Sequence, residues 1–298
     1  MGRDTLTGVS LPQFKNMIDI NTKGKGCIKQ PFDVRDYRLE KIAGNFNFSF
    51  FSLKDKIIKV KDQGSSGSCV GQSFSYYSEI LNSIETQSKI QLSARDVYSK
   101  IYLKESGAYL RDACKKLVSE GICLEMKVAS YKAGNPPTED FMRKRNDISK
   151  EDEEEGMTYW AKNYFTWNTY DWEMLKKAIR IGNGAVIGAF GNNPCWQEAK
   201  LEVPVSVYAC PWAHAIYCTG VVKIDGKEYI EFVNSWGDKW GDNGFGYLPK
   251  EYVEKGFIFN CWTIVDRNNN EYNEIISKID KIKFATRNLA DLISQFKK

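Results

Sequence analysis

Apolar side chains recur at helical spacing immediately after a polar stretch rich in glycine and serine. Residues 61–68 of that stretch carry no periodicity, which is typical of a loop. The apolar residues that follow lie on one face of a helix with about 3.6 residues per turn: Val70, Phe74, Tyr77, Leu81 and Ile84. The pattern therefore predicts a loop that leads into a helix, with Cys69 in the first turn.

Helical patterns come first along the rest of the chain, and strand patterns follow. The pattern predicts helices over 92–98, 109–118 and 171–181 and a strand over 185–190. Residues 144–155 form a charge run that is typical of a solvated loop. Helices followed by strands predict an α+β fold.

Two apolar runs, over 215–224 and 229–233, flank a central Asp-Gly pair. Such a pair between apolar runs is the strongest short signal for a hairpin with a two-residue turn. A regular hairpin would leave His214 and Asn234 three positions apart on neighbouring strands. At about 3.3 Å per residue and about 4.8 Å between strands, a bulge or a twist can bring the two side chains together.

The predicted position of Cys69 favours a reactive thiol. The unpaired N–H groups at a helix start and the positive end of the helix dipole stabilise an anion, so we expect a lowered pKa for Cys69. His214 is the only histidine of the chain, and it is therefore the only imidazole that can act as a base. With Asn234 as the orienting group, the three residues fit Cys-His-Asn catalysis. The alternative is structural, a buried cysteine and a satisfied core histidine.

Three blocks, in this order, resemble the signatures of the papain-like cysteine peptidases: residues 63–69, His214 and residues 234–246. The resemblance implies the two-lobed fold of that family, with the active site in the cleft between the lobes. It assigns the nucleophile to Cys69, the general base and acid to His214, and the orienting amide to Asn234.

The same resemblance implies further site residues. Gln63 corresponds to the side-chain donor of the oxyanion hole, acting with the backbone N–H of Cys69. Trp236 and Trp240 correspond to indoles that shield the histidine–asparagine contact from water, and Trp236 is also a candidate substrate-binding residue. Gly107 is a candidate for the backbone that hydrogen-bonds an extended substrate.

Length and resemblance together divide the chain into four segments. At about 150 residues per domain, 298 residues suggest two compact units. We expect a helical lobe with the nucleophile over 31–150 and a strand-rich, barrel-like lobe with His214 over 151–268. Residues 1–30 are expected to be an extension that restricts access to the cleft, as leading segments often do in relatives. A disordered tail is the alternative.

The last segment, 269–298, is expected to be an amphipathic helix. From Ile275 to Phe296, apolar residues advance by alternating steps of four and three, and only Thr286 interrupts the series. We expect this helix to pack on its own chain. Pairing with a second copy or docking on a partner is the alternative.

Composition and charge limit the classes of partner that we expect. A net charge of +4, without a basic patch interleaved with aromatic residues, argues against nucleic acid. With one histidine and no Cys-x-x-Cys pair, we expect no metal site and no cofactor. Residues 1–14 lack an apolar core and no apolar run approaches the length of a membrane helix, so we expect neither a signal peptide nor a membrane contact. A cytoplasmic or particle-associated protein is the resulting expectation.

The function that these residues predict is a thiol peptidase. It would attack a peptide or protein substrate, form an acyl-enzyme at Cys69 and hydrolyse it with water activated by His214. Two alternatives remain at this point. One is a protein that keeps the fold and binds without turnover, and the other is an amidase or acyltransferase that uses the same groups.

Overall fold

The computed structural model describes residues 18–41, 43, 48–132 and 134–265. The helices of this part are α1 (Cys69–Thr86), α2 (Ala94–Ile101), α3 (Leu110–Glu120), α4 (Glu139–Arg143), α5 (Lys150–Gly156), α6 (Trp172–Ile181) and α7 (Lys250–Glu254). The strands are β1 (Phe51–Ser52), β2 (Asn163–Phe165), β3 (Ala185–Gly191), β4 (Trp212–Ile224), β5 (Lys227–Val233), β6 (Phe245–Pro249) and β7 (Ile258–Val265). The fold is α+β, as predicted. The predicted C-terminal helix over 269–298 lies outside the described residues, and so do residues 1–17 of the predicted extension.

The strands form one antiparallel sheet in the order β2-β7-β3-β4-β5-β6, and β1 pairs with β4. The two end strands, β2 and β6, do not pair with each other among the described residues, so the sheet is open. The predicted barrel-like lobe is therefore realised only loosely, because the sheet does not close: β2 has three residues and pairs only with β7 among the described strands, which leaves a free edge.

The sheet separates two hydrophobic cores, because successive side chains of a strand point to opposite faces. In β3, Val186 joins the core that contains α1, α2 and α3, whereas Ile187 joins the core that contains α6 and α7. Helix α1 packs against β4. This packing sets the start of α1, at Cys69, beside the strand that carries His214.

The structure contains the predicted hairpin turn, but it differs from the predicted loop over 144–155. The two-residue turn is confirmed: Ile224 pairs with Lys227, and the turn residues Asp225 and Gly226 have φ values of 50° and 79°. Positive φ at both positions is what a type I′ turn requires. The charge run is not only loop, because α5 forms within it, and Ser149 caps the helix by accepting from the Asp152 N–H.

A buried ion pair joins α2 to α3. The Lys116 ammonium contacts the Asp96 carboxylate and also donates to Gly121 O at 2.6 Å, and the two charged side chains are 5% and 1% exposed. Removing Lys116 leaves the Asp96 carboxylate buried with only the more distant Arg145 guanidinium, 3.6 Å away, as a counter-charge. Lys116→Met should therefore lower the free energy of unfolding by about 3–5 kcal/mol, measured by urea denaturation.

The neighbouring Lys115 provides the matched control. Its ion pair with Asp112 is solvent-exposed, at 59% and 39% for the two side chains. Lys115→Met should change the free energy of unfolding by no more than about 0.5 kcal/mol. Equal losses for the two variants would contradict the importance of the buried pair.

Candidate active site

Cys69 is the first residue of α1, and its side chain is fully buried. The backbone N–H groups of Ala215, Gly26, Val70 and Cys69 itself lie where they lower the pKa of its thiol. Val70 belongs to the first turn of the helix, and Ala215 follows His214 on β4. Gly26 belongs to residues 1–30, the segment expected to restrict access to the cleft, but its contact with Cys69 was not predicted.

His214 on β4 and Asn234, directly after β5, meet through a hydrogen bond of 2.8 Å between Nε2 and Oδ1. A β-bulge makes this contact, because the register shifts between Cys218 and Gly220. The shift reduces the offset of the two residues from three positions to two. An odd offset would point the side chains to opposite faces of the sheet, whereas an even one points them to the same face.

The hydrogen bonds of Asn234 determine the protonation of the imidazole. Asn234 Oδ1 also accepts from the Ser235 N–H at 2.8 Å, so this oxygen acts as an acceptor toward His214 and places the ring proton on Nε2. Nδ1 is then the basic nitrogen. In the described part of the chain Nδ1 has no hydrogen-bond partner. The imidazole is thus oriented with a free nitrogen that can accept a proton.

Indole rings enclose the histidine. The Trp236 ring centroid lies 4.7 Å from that of His214, and Trp196 meets the same ring edge-on at 5.8 Å. Trp240 contacts Trp236, at 5.7 Å between ring centroids. Trp196 was missed in the sequence, because it lies in a short 3-10 turn without strand or helix periodicity. These rings exclude water from the His214–Asn234 contact.

Gln63 lies in the loop before α1 with its amide fixed on both sides. Its Oε1 accepts from the Ser235 hydroxyl at 2.5 Å, and its Nε2 donates to Ser66 O at 2.6 Å. The same Nε2 donates to Gly24 O at 3.1 Å. The amide donor predicted for the oxyanion hole therefore already holds a carbonyl oxygen.

Residues 23–28, here called the cleft segment, cover the site. Besides the contacts of Gly24 with Gln63 and of Gly26 with Cys69, Lys23 forms a 2.6 Å ion pair with Asp62. In addition, the Ala108 N–H donates to Gly26 O at 2.8 Å. Cys69, Gln63 and the backbone at residue 108 thus all bind the same segment.

Gly107 and Trp236, the two predicted substrate-binding residues, both lie against the cleft segment. A Cβ at Gly107 would stand 2.5 Å from Gly26 O, and Gly107 has a φ of 84°, so a side chain there would be strained and would collide. The Trp236 indole N–H donates to Gly24 O at 3.3 Å.

Two glycines of the cleft segment pass within contact of the loop that precedes α1. A Cβ at Gly26 would lie 2.0 Å from Gly67 O, and a Cβ at Gly24 would lie 1.8 Å from Ser66 O. No side chain fits at either position while the segment stays in place.

Burial keeps both reacting groups neutral in this form of the chain. It raises the pKa of Cys69 to about 11. Burial also lowers the pKa of His214, to about 3; the nearby Lys25 ammonium contributes to this lowering and the hydrogen bond to Asn234 opposes it. The expectation of a lowered pKa for Cys69 is therefore wrong for this form. The reason is that burial removes water from the thiol, and this loss of hydration outweighs the N–H groups at the helix start.

No group of three or more metal-ligating side chains occurs in the described ranges. No helix in the same ranges has the length and apolar character needed to cross a membrane.

The chain matches the profile of a known protein family. The profile of the papain family cysteine proteases matches residues 48–261. A cysteine protease of Blomia tropicalis is 24% identical over 207 residues, which are 68% of this chain and 61% of that protein, so the match spans less than two thirds of this relative.

Two solved structures share the fold. Xylellain, a cysteine protease from Xylella fastidiosa, is 21% identical with a TM-score of 0.65, and the match covers 87% of this chain and 100% of that one. A digestive procathepsin L2 proteinase of the Tenebrio molitor larval midgut is 20% identical with a TM-score of 0.66, covering 87% and 83%. Because the family profile spans well over half of the chain, this protein belongs to the papain family of cysteine proteases.

Proposed function

We propose that the protein hydrolyses peptide bonds through an acyl-enzyme on Cys69. The observation that carries this proposal is the oriented imidazole: Asn234 fixes the Nε2 proton of His214 and leaves Nδ1 as a base, on the strand that packs against the start of α1. Cys69 would lose its proton to His214 and attack the peptide carbonyl carbon. His214 would then protonate the leaving amine, and water would hydrolyse the thioester and regenerate the thiol.

The proposed oxyanion hole consists of Gln63 Nε2 and the backbone N–H of Cys69. Its support is that Nε2 already donates to a carbonyl oxygen, that of Gly24. The Ser235 hydroxyl fixes the amide from behind, so the donor is oriented before substrate arrives. Donors arranged in advance stabilise the charge that develops in the transition state.

We propose further that the described form is latent. At the sulfur of Cys69 the cleft segment presents an N–H group, that of Gly26, and the carbonyl bound to Gln63 belongs to Gly24 instead. An N–H at this position gives the sulfur no carbon to attack. The segment therefore occupies the site as an inhibitor and not as a substrate.

Gly26→Val should open the cleft without shortening the chain, because its Cβ would overlap Gly67 O. We call Gly26→Val the open variant. It provides the background in which hydrolysis is measured.

Gln63→Ala in the open variant should lower kcat for a fluorogenic peptide by about 10²–10³-fold and change KM little. The physical reason is that the lost donor acts mainly on the oxygen that becomes negative during attack, and less on the ground-state carbonyl. Steady-state kinetics on one peptide gives both constants.

Ser235→Ala is the matched control for Gln63. It removes the hydroxyl that orients the amide and leaves the donor itself in place, so we expect a smaller fall in kcat. A change in KM alone for Gln63→Ala would make Gln63 a ground-state contact. Failure of the open variant to cleave any peptide would favour a binding protein without turnover.

A further inference from the structure

Lys25 of the cleft segment places its ammonium over two indole rings. Nζ lies 5.5 Å from the ring centroid of Trp212 and 5.4 Å from that of Trp236. Both distances are within the range of cation–π attraction. The side chain is only half-buried, so its stem follows the rings while its end remains near water.

The two rings are held in place by the body of the protein. The Trp212 indole N–H donates to Asn193 Oδ1 at 2.9 Å, and its ring lies against Gly191, where a Cβ would stand 2.2 Å from the ring. Trp212 and Trp236 meet edge-to-face at 5.9 Å between centroids. The aromatic surface therefore keeps its shape without Lys25.

The polar partners of Lys25 precede the cleft segment, at residues 19 and 20. Its Nζ donates to Ile20 O at 2.6 Å, and Asp19 is the carboxylate that acts on it. The body of the protein supplies the aromatic faces. When the segment leaves, the surface that remains is suited to a long apolar stem that ends in a positive charge.

The location of this surface relative to the proposed chemistry follows from His214. The leaving amine would take its proton from His214, so the leaving half of a substrate must cross that imidazole. Trp236 is stacked on the same imidazole, with the two ring centroids 4.7 Å apart. The indole pair therefore faces the leaving half.

We propose that Trp212 and Trp236 form a binding site for a basic side chain, lysine or arginine, in the residue that follows the scissile bond. This inference rests on the proposed peptidase function and adds the substrate class. Lys25 occupies the site in the latent form.

The test compares two fluorogenic peptides that differ only in the residue after the scissile bond, lysine in one and norleucine in the other. Norleucine keeps the four-carbon stem and lacks the ammonium. The open variant should cleave the lysine peptide with a kcat/KM about fivefold higher, equivalent to about 1 kcal/mol. In the open variant that also carries Trp212→Leu, the ratio should fall to about one. The proposal is overturned if the open variant cleaves the lysine and norleucine peptides with equal kcat/KM. It is also overturned if Trp212→Leu leaves the lysine preference unchanged.

A second measurement does not depend on hydrolysis. In the full chain, Lys25→Met keeps most of the stem and removes the charge, so the segment should be held less tightly and iodoacetamide should label Cys69 about fivefold faster. In a Trp212→Leu background the same change should have less than about a twofold effect. Equal effects in the two backgrounds overturn the cation site. If the open variant cleaves neither peptide, the proposed function fails. The comparison of Lys25→Met labelling rates with and without Trp212→Leu still decides whether the indoles bind a cation.

Discussion

Cys69→Ala in the open variant is expected to reduce peptide hydrolysis by about 10⁴-fold or more. The sulfur is the atom that would form the thioester, and alanine offers no atom in its place. The fold should persist, because α1 is anchored along its length by buried residues such as Phe74 and Tyr77. Initial rates, with circular dichroism of the same sample, provide the measurement.

A second buried cysteine, Cys114, provides the control that distinguishes loss of the nucleophile from loss of packing. Cys114 on α3 is fully buried, as Cys69 is, and its thiol is also free. Cys114→Ala should leave kcat/KM within about twofold while lowering the free energy of unfolding through the cavity it creates. A folded Cys69→Ala variant with normal turnover would reject Cys69 as the nucleophile.

The open variant, Gly26→Val, should label with iodoacetamide at Cys69 about 100-fold faster than the unmodified chain at pH 7. Alkylation requires the thiolate, and the covered thiol has its pKa raised to about 11 by burial. A raised pKa means that the thiolate forms only as the pH climbs toward that value. Labelling of the unmodified chain should therefore keep rising up to about pH 11, whereas that of the open variant should level off at a lower pH.

Val34→Ala is the control for this comparison. Val34 follows the cleft segment and is 85% exposed, so shortening it should leave the labelling rate and its pH profile unchanged. Mass spectrometry of the labelled chain identifies Cys69 among the eight cysteines. Identical pH profiles for Gly26→Val and the unmodified chain would show that the segment does not protect the thiol.

The Asp-Gly turn could be predicted from sequence because it depends on two adjacent residues. A bulge or a twist that aligns His214 with Asn234 was also expected, but the position of the bulge was not, because Thr219 at the bulge has a side-chain partner on a neighbouring strand. The Thr219 hydroxyl donates to a buried Glu231 carboxylate at 2.8 Å, and Ser52 donates to the same oxygen at 2.6 Å. A threonine within an apolar run carries no signal for such a contact.

Residues 1–30 were expected to restrict access to the cleft, but which of them would contact the site could not be read from the sequence. Residues 21–26 have the composition of a flexible turn, and glycine is common both in mobile turns and at close backbone contacts. What selects the second role at Gly24 and Gly26 is the backbone of Ser66 and Gly67, about forty positions later. The sign of the shift in the pKa of Cys69 was missed for the same reason, since it depends on what covers the helix start and not on the helix.

The single histidine makes the active site visible to spectroscopy. Because the chain has one imidazole, its NMR spectrum contains one set of histidine ring resonances, and these need no assignment. The ring current of Trp236, whose ring centroid lies 4.7 Å from that of His214, shifts those resonances. The hydrogen bond to Asn234 protects the Nε2 proton from exchange with solvent. One isotope-labelled residue can therefore report, without substrate or inhibitor, on what fraction of the molecules has an uncovered site.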